Sequence, residues 1–166
     1  MSNPFLLTER LALELESTEA VLARIAAMPP ADQAEVSPEW LARLRLAPVP
    51  TPWTHGVALV ERATGAVVGS AGFKGPPDAE GVVEVAYGLA PAYQGRGYAR
   101  EAARALSEYA LGAGGARCVR AHTRADNAAS ARVLAACGFT PVGEVFDPDD
   151  GLVHRWERRA SATPSA

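Results

Sequence analysis

The sequence predicts an α/β single domain built on a mixed, mostly antiparallel sheet of about seven strands flanked by about four helices. Three observations carry that expectation. At 166 residues the chain has room for one sizeable core, since a domain of this size buries roughly 70% of its unfolded surface. Val57 to Phe73 reads as two apolar runs joined at Ala63-Thr64-Gly65, which is a hairpin. Val82 to Thr123 then reads strand, helix, strand, and that order demands one parallel pair joined by a crossover.

Taken in order, Leu11, Leu13 and Leu15 alternate after Arg10 as a first strand. Ser17 or Thr18 caps a helix over Glu19 to Ala27, ended by Pro29-Pro30, and Pro38 opens a second helix carrying Trp40, Leu41 and Leu44 on one stripe. Ala47 to Thr54 holds three prolines and no periodicity, so it is a loop suited to wall a pocket, with Trp53 and His55 as candidate lining residues. A lone histidine beside such a loop also suits a purely structural place. In Val82 to Leu89 the odd positions Val83, Val85, Tyr87 and Leu89 share one face, which leaves Glu84 among small residues on the other. After Pro91 the run Gln94-Gly95-Arg96-Gly97-Tyr98-Ala99 opens a helix whose stripe is Ala99, Ala102, Ala103, Leu106, Tyr109 and Ala110, with Arg104 and Glu108 spaced to pair. Arg117 to Thr123 is the next strand, and Asp126-Asn127 caps a helix from Ala128 to Cys137. Two strands around the Asp147 to Gly151 turn close the fold, and Ser161 to Ala166 is expected to be a disordered tail.

Composition narrows the function. A formal net charge of -3 supplies no basic field, so nucleic acid is not expected as a partner. No apolar run is long enough to span a bilayer, and Met1 to Arg10 lacks the basic segment and apolar core of a signal peptide. Cys118 and Cys137 make no CxxC or metal-ligand spacing, so no metal is expected and a reduced, cytoplasmic setting is the simpler assumption.

The chemistry lies between Val82 and Arg100. The first amides of a helix have no carbonyl partner, the helix dipole adds about half a positive charge, and Gly95 and Gly97 let an anion approach the backbone. A tight turn without a ligand would use the same glycines. GxxxxGK[ST] is absent, and the loop lacks the third glycine and distal acid of a dinucleotide fingerprint.

Gln94-x-x-Gly97-x-Ala99, followed one crossover later by Asn127-x-x-Ser130 and Gly138-Phe139, resembles the paired motifs of the GNAT acyltransferases. The opening Leu7-Thr8-Glu9-Arg10-Leu11 is similar to the start of the ribosomal-protein N-terminal acetyltransferase branch. The resemblance implies a single GNAT-like domain over 1–160, whose sheet opens where the Glu84 strand and the Cys118 strand part. It implies acetyl-CoA as co-substrate, its pyrophosphate on Gln94, Gly95, Arg96, Gly97, Tyr98 and Ala99, and its pantetheine arm along Tyr87, Gly88 and Leu89, with Asn127 and Ser130 completing the site. Many members place a tyrosine four residues after the serine to protonate the departing thiolate, but here that residue is Leu134. The resemblance to the N-terminal acetyltransferase branch implies that Ser130 instead hydrogen-bonds the sulfur, donating a proton itself or relaying one from water.

Glu84 is the candidate base. A carboxylate with a pKa of about 4.3 abstracts a proton from an amine poorly unless burial raises it or water relays, which suits an α-amine of pKa about 7.7–8.0 better than a lysine near 10.4. Asn127 and Ser130 would also serve as helix cap and helix residue, and Glu84 as an ordinary sheet-face residue. The expected reaction is acetyl transfer to a primary amine, on a protein N-terminus or a small molecule, by direct attack in a ternary complex. A covalent route through either cysteine lacks a neighbouring base. Two rivals stand: a catalytically silent CoA-binding sensor or assembly subunit, and a phosphate-binding domain unrelated to CoA. A homodimer is possible by the same resemblance.

Overall fold

The computed structural model describes residues 4–34, 36–47, 49–148 and 150–160. The tail 161–166, expected to be disordered, lies outside them. Eight strands form one sheet: β1 (Leu6–Leu7), β2 (Leu11–Leu15), β3 (Val57–Glu61), β4 (Val67–Phe73), β5 (Val82–Leu89), β6 (Cys118–Arg124), β7 (Thr140–Asp147) and β8 (Gly151–Arg159). The α-helices among the described residues are α1 (Thr18–Ala26), α2 (Pro30–Ala34), α3 (Pro38–Leu46), α4 (Tyr98–Leu111) and α5 (Ala128–Ala136).

The spatial order is β1-β2-β3-β4-β5-β6-β8-β7, antiparallel throughout except for the parallel β5–β6 pair. The sheet therefore holds one strand more than the sequence predicts. Thr8 Oγ1 accepts the Leu11 N–H at 3.0 Å and turns the chain, so that Leu6 and Leu7 pair back on Leu13 and Ala12. The additional helix, α2, is a five-residue piece begun by Pro30, where the missing N–H is one that a helix start leaves unpaired anyway.

Caps set the longer helices. Ser17 and Ser37 accept the amides of Ala20 and Trp40, which satisfies one orphan donor in each first turn of α1 and α3. Helix α4 buries Tyr98, Ala102, Ala103, Leu106, Ser107 and Ala110 against the sheet. Its small alanines let the helix lie close to Val83, Val85 and Val119, all 2% exposed or less. The expected Arg104–Glu108 pair does not form. Arg104 instead donates to the Ala136 carbonyl at the end of α5, and Glu108 faces Arg158 at 3.8 Å, because partners from α5 and β8 outcompete a surface pair on the same helix.

On the opposite face the chain enters β3 through Gly56, at φ +76°, and a Cβ placed there would stand 2.8 Å from the Ala71 carbonyl oxygen. Gly72 is its counterpart, since its own Cβ would meet the Gly56 Cα at 2.9 Å. Gly56→Ala adds a left-handed alanine to a backbone clash and is expected to cost about 2–3 kcal/mol. That loss lowers the midpoint of thermal unfolding by about 4–12 °C, and a melting curve checks it.

Candidate active site

Strands β5 and β6 pair only at Val82–Cys118, Val83–Val119 and Glu84–Arg120, whereas β5 stays paired to β4 as far as Leu89–Gly69. Beyond Glu84 the β6 side of β5 has no strand partner, and the sheet opens there. This leaves extended backbone, including Tyr87, Gly88 and Leu89, free to pair with an amide chain.

The glycine loop lies at the end of that strand. A single 3-10 turn, Pro91–Tyr93, follows β5, and the Gln94 side chain donates to the Leu89 carbonyl at 3.1 Å, tying loop to strand. Gly95 and Gly97 adopt φ +78° and +85°, the left-handed region that side chains resist. Arg96 lies over the Tyr93 ring, 5.5 Å from its centroid. Tyr98 is 5% exposed and donates its hydroxyl to Glu61, and the half-buried Ala99 follows it in the first turn of α4.

Arg10, in the opening Thr8-Glu9-Arg10-Leu11, is the clamp on this loop. Its guanidinium donates to the Arg96 carbonyl at 2.9 Å, pairs with Glu101 at 3.2 Å and stacks on Tyr98 at 4.4 Å. The sequence marked this opening as a family feature but assigned Arg10 no task. Its contact with Arg96 spans 86 positions of chain, and nothing local reports it.

The loop suits a phosphate. Beyond its chain neighbours, no atom of the described residues lies within 4 Å of where a Gly95 Cβ would stand. The first amides of α4 have no carbonyl partner within the helix, so the cradle combines open space with donors.

Two cavities adjoin at the opening. The larger, about 900 Å³, lies among α1, α3, β4 and β5, and is lined by Arg24, Trp40, Arg43, His55, Ser70 and Lys74 among others. The smaller, about 280 Å³, follows the parting of β5 and β6 and is lined by Glu84, Tyr87, His122, Asn127, Ser130 and Leu134 among others. They share Lys74, Ala86, Tyr87, Asp147 and Asp150. A long ligand in one therefore reaches a second ligand in the other.

Glu84 lines the smaller cavity, 24% exposed at its side chain, beside Lys74, which lines both. Its Oε2 is 2.8 Å from Lys74 Nζ and 3.1 Å from His122 Nδ1. Burial pushes the carboxyl pKa up, but the hydrogen bonds from Lys74 and His122, with the charge of Lys74, outweigh it, and the group ends below its ordinary value. Burial thus does not turn Glu84 into a stronger base. Arg155 Nε donates to His122 Nε2 at 3.1 Å. A guanidinium has no acceptor, so Nε2 must be bare and the ring proton sits on Nδ1, directed at Glu84.

Asn127 Oδ1 accepts the Ser130 N–H at 3.0 Å and caps α5. Ser130 Oγ lies 3.0 Å from Tyr87 Oη. Leu134 is fully buried. His55, 1% exposed, lines the larger cavity, but both ring nitrogens bond threonine hydroxyls, Thr18 at 2.7 Å and Thr54 at 2.8 Å, and burial lowers its pKa. Trp53 is not among the lining residues, because its ring packs on Phe73 and Tyr109 at 4.8 and 5.9 Å. Trp40 lines the cavity instead and donates its indole N–H to the Thr54 carbonyl. Sequence reading missed His122 and Lys74 as partners of Glu84. Lys74 lies one residue past the end of β4, its N–H donating to the Glu84 carbonyl at 2.9 Å, and His122 lies two residues past Arg120, the partner of Glu84 across the parallel pair.

A mixed sheet parted at its parallel pair, with a glycine-turned helix start beside the opening, is the architecture of an acyltransferase. The chain belongs to the GNAT acetyltransferase family, whose acetyltransferase (GNAT) domain model matches residues 8–140. It is similar to the uncharacterised N-acetyltransferase YjdG of Bacillus subtilis (strain 168), 31% identical over 81 residues. That match covers 49% of this chain and 48% of that protein, so it spans about half the length of this curated relative. Among solved structures, RimL, a ribosomal L7/L12 alpha-N-protein acetyltransferase in complex with coenzyme A, is 18% identical with a TM-score of 0.75 over 97% of this chain and all of that one. A chimera of the Vibrio cholerae spermidine N-acetyltransferase SpeG and hSSAT is 15% identical with a TM-score of 0.74, covering 92% of this chain and 97% of that one. At these identities the likeness is one of fold.

Proposed function

We propose that the protein transfers the acetyl group of acetyl-CoA to a primary amine by direct attack within a ternary complex. The observation that carries this reading is the meeting of three features at one opening: the phosphate cradle of Gln94 to Ala99, the unpaired edge of β5, and Glu84 in the smaller cavity, paired to the Lys74 that lines both cavities. Acetyl-CoA supplies the acyl group as an activated thioester. Amides near Leu89 point donors at the thioester oxygen, where charge develops as the amine attacks. Ser130 faces the sulfur, and Asn127 fixes the helix turn that carries it. Glu84 accepts the proton of the amine through water, while Lys74 and His122 hold its carboxylate in place. Each of these roles is available without a metal.

The larger cavity admits the acceptor. Because Glu84 is a weak base, an amine already partly neutral at pH 7 reacts best, which favours an α-amino group over a lysine. Two acceptor classes are the first to try. One is a protein N-terminus, the substrate in the name of RimL as an alpha-N-protein acetyltransferase, and the other is a small amine, the substrate in the name of SpeG as a spermidine N-acetyltransferase. The domain over 1–160 and a cytoplasmic setting, consistent with two free buried cysteines, belong to the same proposal.

Two measurements test it. Acetyl-CoA is expected to raise the melting temperature and ATP to leave it unchanged, since the cradle suits a pyrophosphate followed by an amide arm. Acetyl-CoA-dependent thiol release is then expected with at least one member of a panel of N-terminal peptides, amino acids and polyamines. Binding with silence across the whole panel would replace this reading by a CoA-binding sensor or assembly subunit, and equal stabilisation by ATP would replace both by a general phosphate site.

A further inference from the structure

Leu134 stands where the family resemblance leads one to expect a tyrosine, and it is fully buried. A phenol nevertheless reaches the same cavity from the other side of the opening. Tyr87 leaves β5 on the face of Val83 and Val85, and its Oη lies 3.0 Å from Oγ of Ser130 in the first turn of α5. Both residues line the smaller cavity. Among the described residues neither hydroxyl has another hydrogen-bond partner. Two hydroxyls carry two protons and their mutual bond uses one. The second therefore remains to be donated into the cavity.

We propose that Tyr87 is a positioning residue for the leaving group: it donates to Ser130 Oγ and so turns the Ser130 O–H outward, toward the coenzyme sulfur. The inference rests on the acetyl-CoA reading above. If the bond ran the other way, Ser130 to Tyr87, the serine would have no proton left for sulfur. A donor that is itself receiving a hydrogen bond is also polarised and binds a developing anion more strongly. The Asn127 cap holds the Ser130 backbone, so the pair is set before any ligand arrives.

The step balances without a change in the protein. The C–N bond forms as the C–S bond breaks, and the C–S electron pair goes to sulfur. The amine proton passes to water beside Glu84, and the thiolate, held by the Ser130 O–H, takes a proton back from water. Burial raises the Tyr87 phenol pKa above its ordinary value, with the Ser130 hydrogen bond opposing, so the phenol stays protonated throughout the working range. A thiol titrates near 8.5 and a phenol near 10. Full proton transfer from the phenol to the thiolate is therefore uphill, and hydrogen bonding is what the pair contributes.

The test compares affinities for coenzyme A and for desulfo-coenzyme A, which lacks the sulfur, by titration calorimetry. Wild type, Tyr87→Phe, Ser130→Ala and the double variant are each measured. Wild type is expected to prefer coenzyme A by about five- to tenfold, the size of one net hydrogen bond. Tyr87→Phe, Ser130→Ala and the double variant are all expected to fall to about the same small preference, within about twofold of none. Desulfo-coenzyme A affinity should not change, since a general disturbance of the fold would lower both. Tyr87→Phe keeping the full preference overturns the inference, and so do losses that multiply in the double variant or a wild type that binds both ligands equally. Failure of wild type to bind either ligand overturns the acetyl-CoA reading itself.

Discussion

Replacing Glu84 by glutamine is expected to lower kcat/KM for amine acetylation by about a hundredfold, within the range that general base catalysis contributes. The substitution keeps the volume and one acceptor oxygen but removes the charge that draws a proton through water. Its effect on stability is expected to stay below about 1 kcal/mol, because Lys74, 62% exposed at its side chain, gives a screened surface pair. The pH dependence separates this from a structural loss. The folded pKa of Glu84 lies below its ordinary value. Its ion pair therefore stabilises the fold above the unfolded pKa of about 4.3, and that contribution is lost only as pH falls through the folded value. Above about pH 6 the group is anionic, so the acid limb of the wild-type rate profile reports the acceptor. An α-amine puts that limb near 7.7–8.0 and a lysine near 10.4. Glu84→Gln should lower the whole profile without moving the limb. Equal turnover of variant and wild type at every pH would leave Glu84 as a sheet-face residue held by Lys74 and His122.

The parts of this site that were legible in the sequence are those encoded by local pattern. Period-two alternation put Glu84 opposite Val83, Val85 and Tyr87, and left-handed glycines announced the start of α4. The partners of those residues were not legible, because each is brought in from elsewhere in the chain. His122 meets Glu84 only through the register of the parallel pair, which no turn between β5 and β6 sets. Arg10 reaches the glycine loop from the first turn of the sheet, and Tyr87 finds Ser130 across 43 positions of chain. Where local and distant partners compete, distance won. Arg104 left its spaced partner Glu108 for the Ala136 carbonyl, and Trp53 left the pocket wall for Phe73 and Tyr109. Fold class was readable because hairpins and one crossover are local objects. The polar geometry that directs chemistry is a product of packing.

Gly95 and Gly97 supply the second large effect, and they differ in a way that isolates the ligand. Both take left-handed φ, so alanine at either position strains the backbone by about 1–2 kcal/mol. The free protein should then melt about 2–8 °C lower in both variants. At Gly97 the new Cβ also stands 3.1 Å from Arg10 Nη2, a flexible guanidinium that must give way and loosen its hold on Arg96. At Gly95, beyond its chain neighbours, no atom of the described residues lies within 4 Å of the new Cβ, so it obstructs what binds rather than the fold. Losing one charge-assisted amide contact to phosphate costs about 1.5–3 kcal/mol, a loss of acetyl-CoA affinity of about 10- to 150-fold, and at about a hundredfold the ligand effect is easily read. Acetyl-CoA at a hundred times the wild-type Kd should stabilise the wild type by about 2.7 kcal/mol and Gly95→Ala by only about 0.4 kcal/mol. If Gly95→Ala melts lower when free yet keeps the full stabilisation by acetyl-CoA, the loop is a turn that shapes α4 and the coenzyme lies elsewhere. If the stabilisation collapses while the free protein melts only a few degrees lower, the open space above Gly95 is the phosphate site, because no neighbouring side chain or loop among the described residues is there to account for the loss.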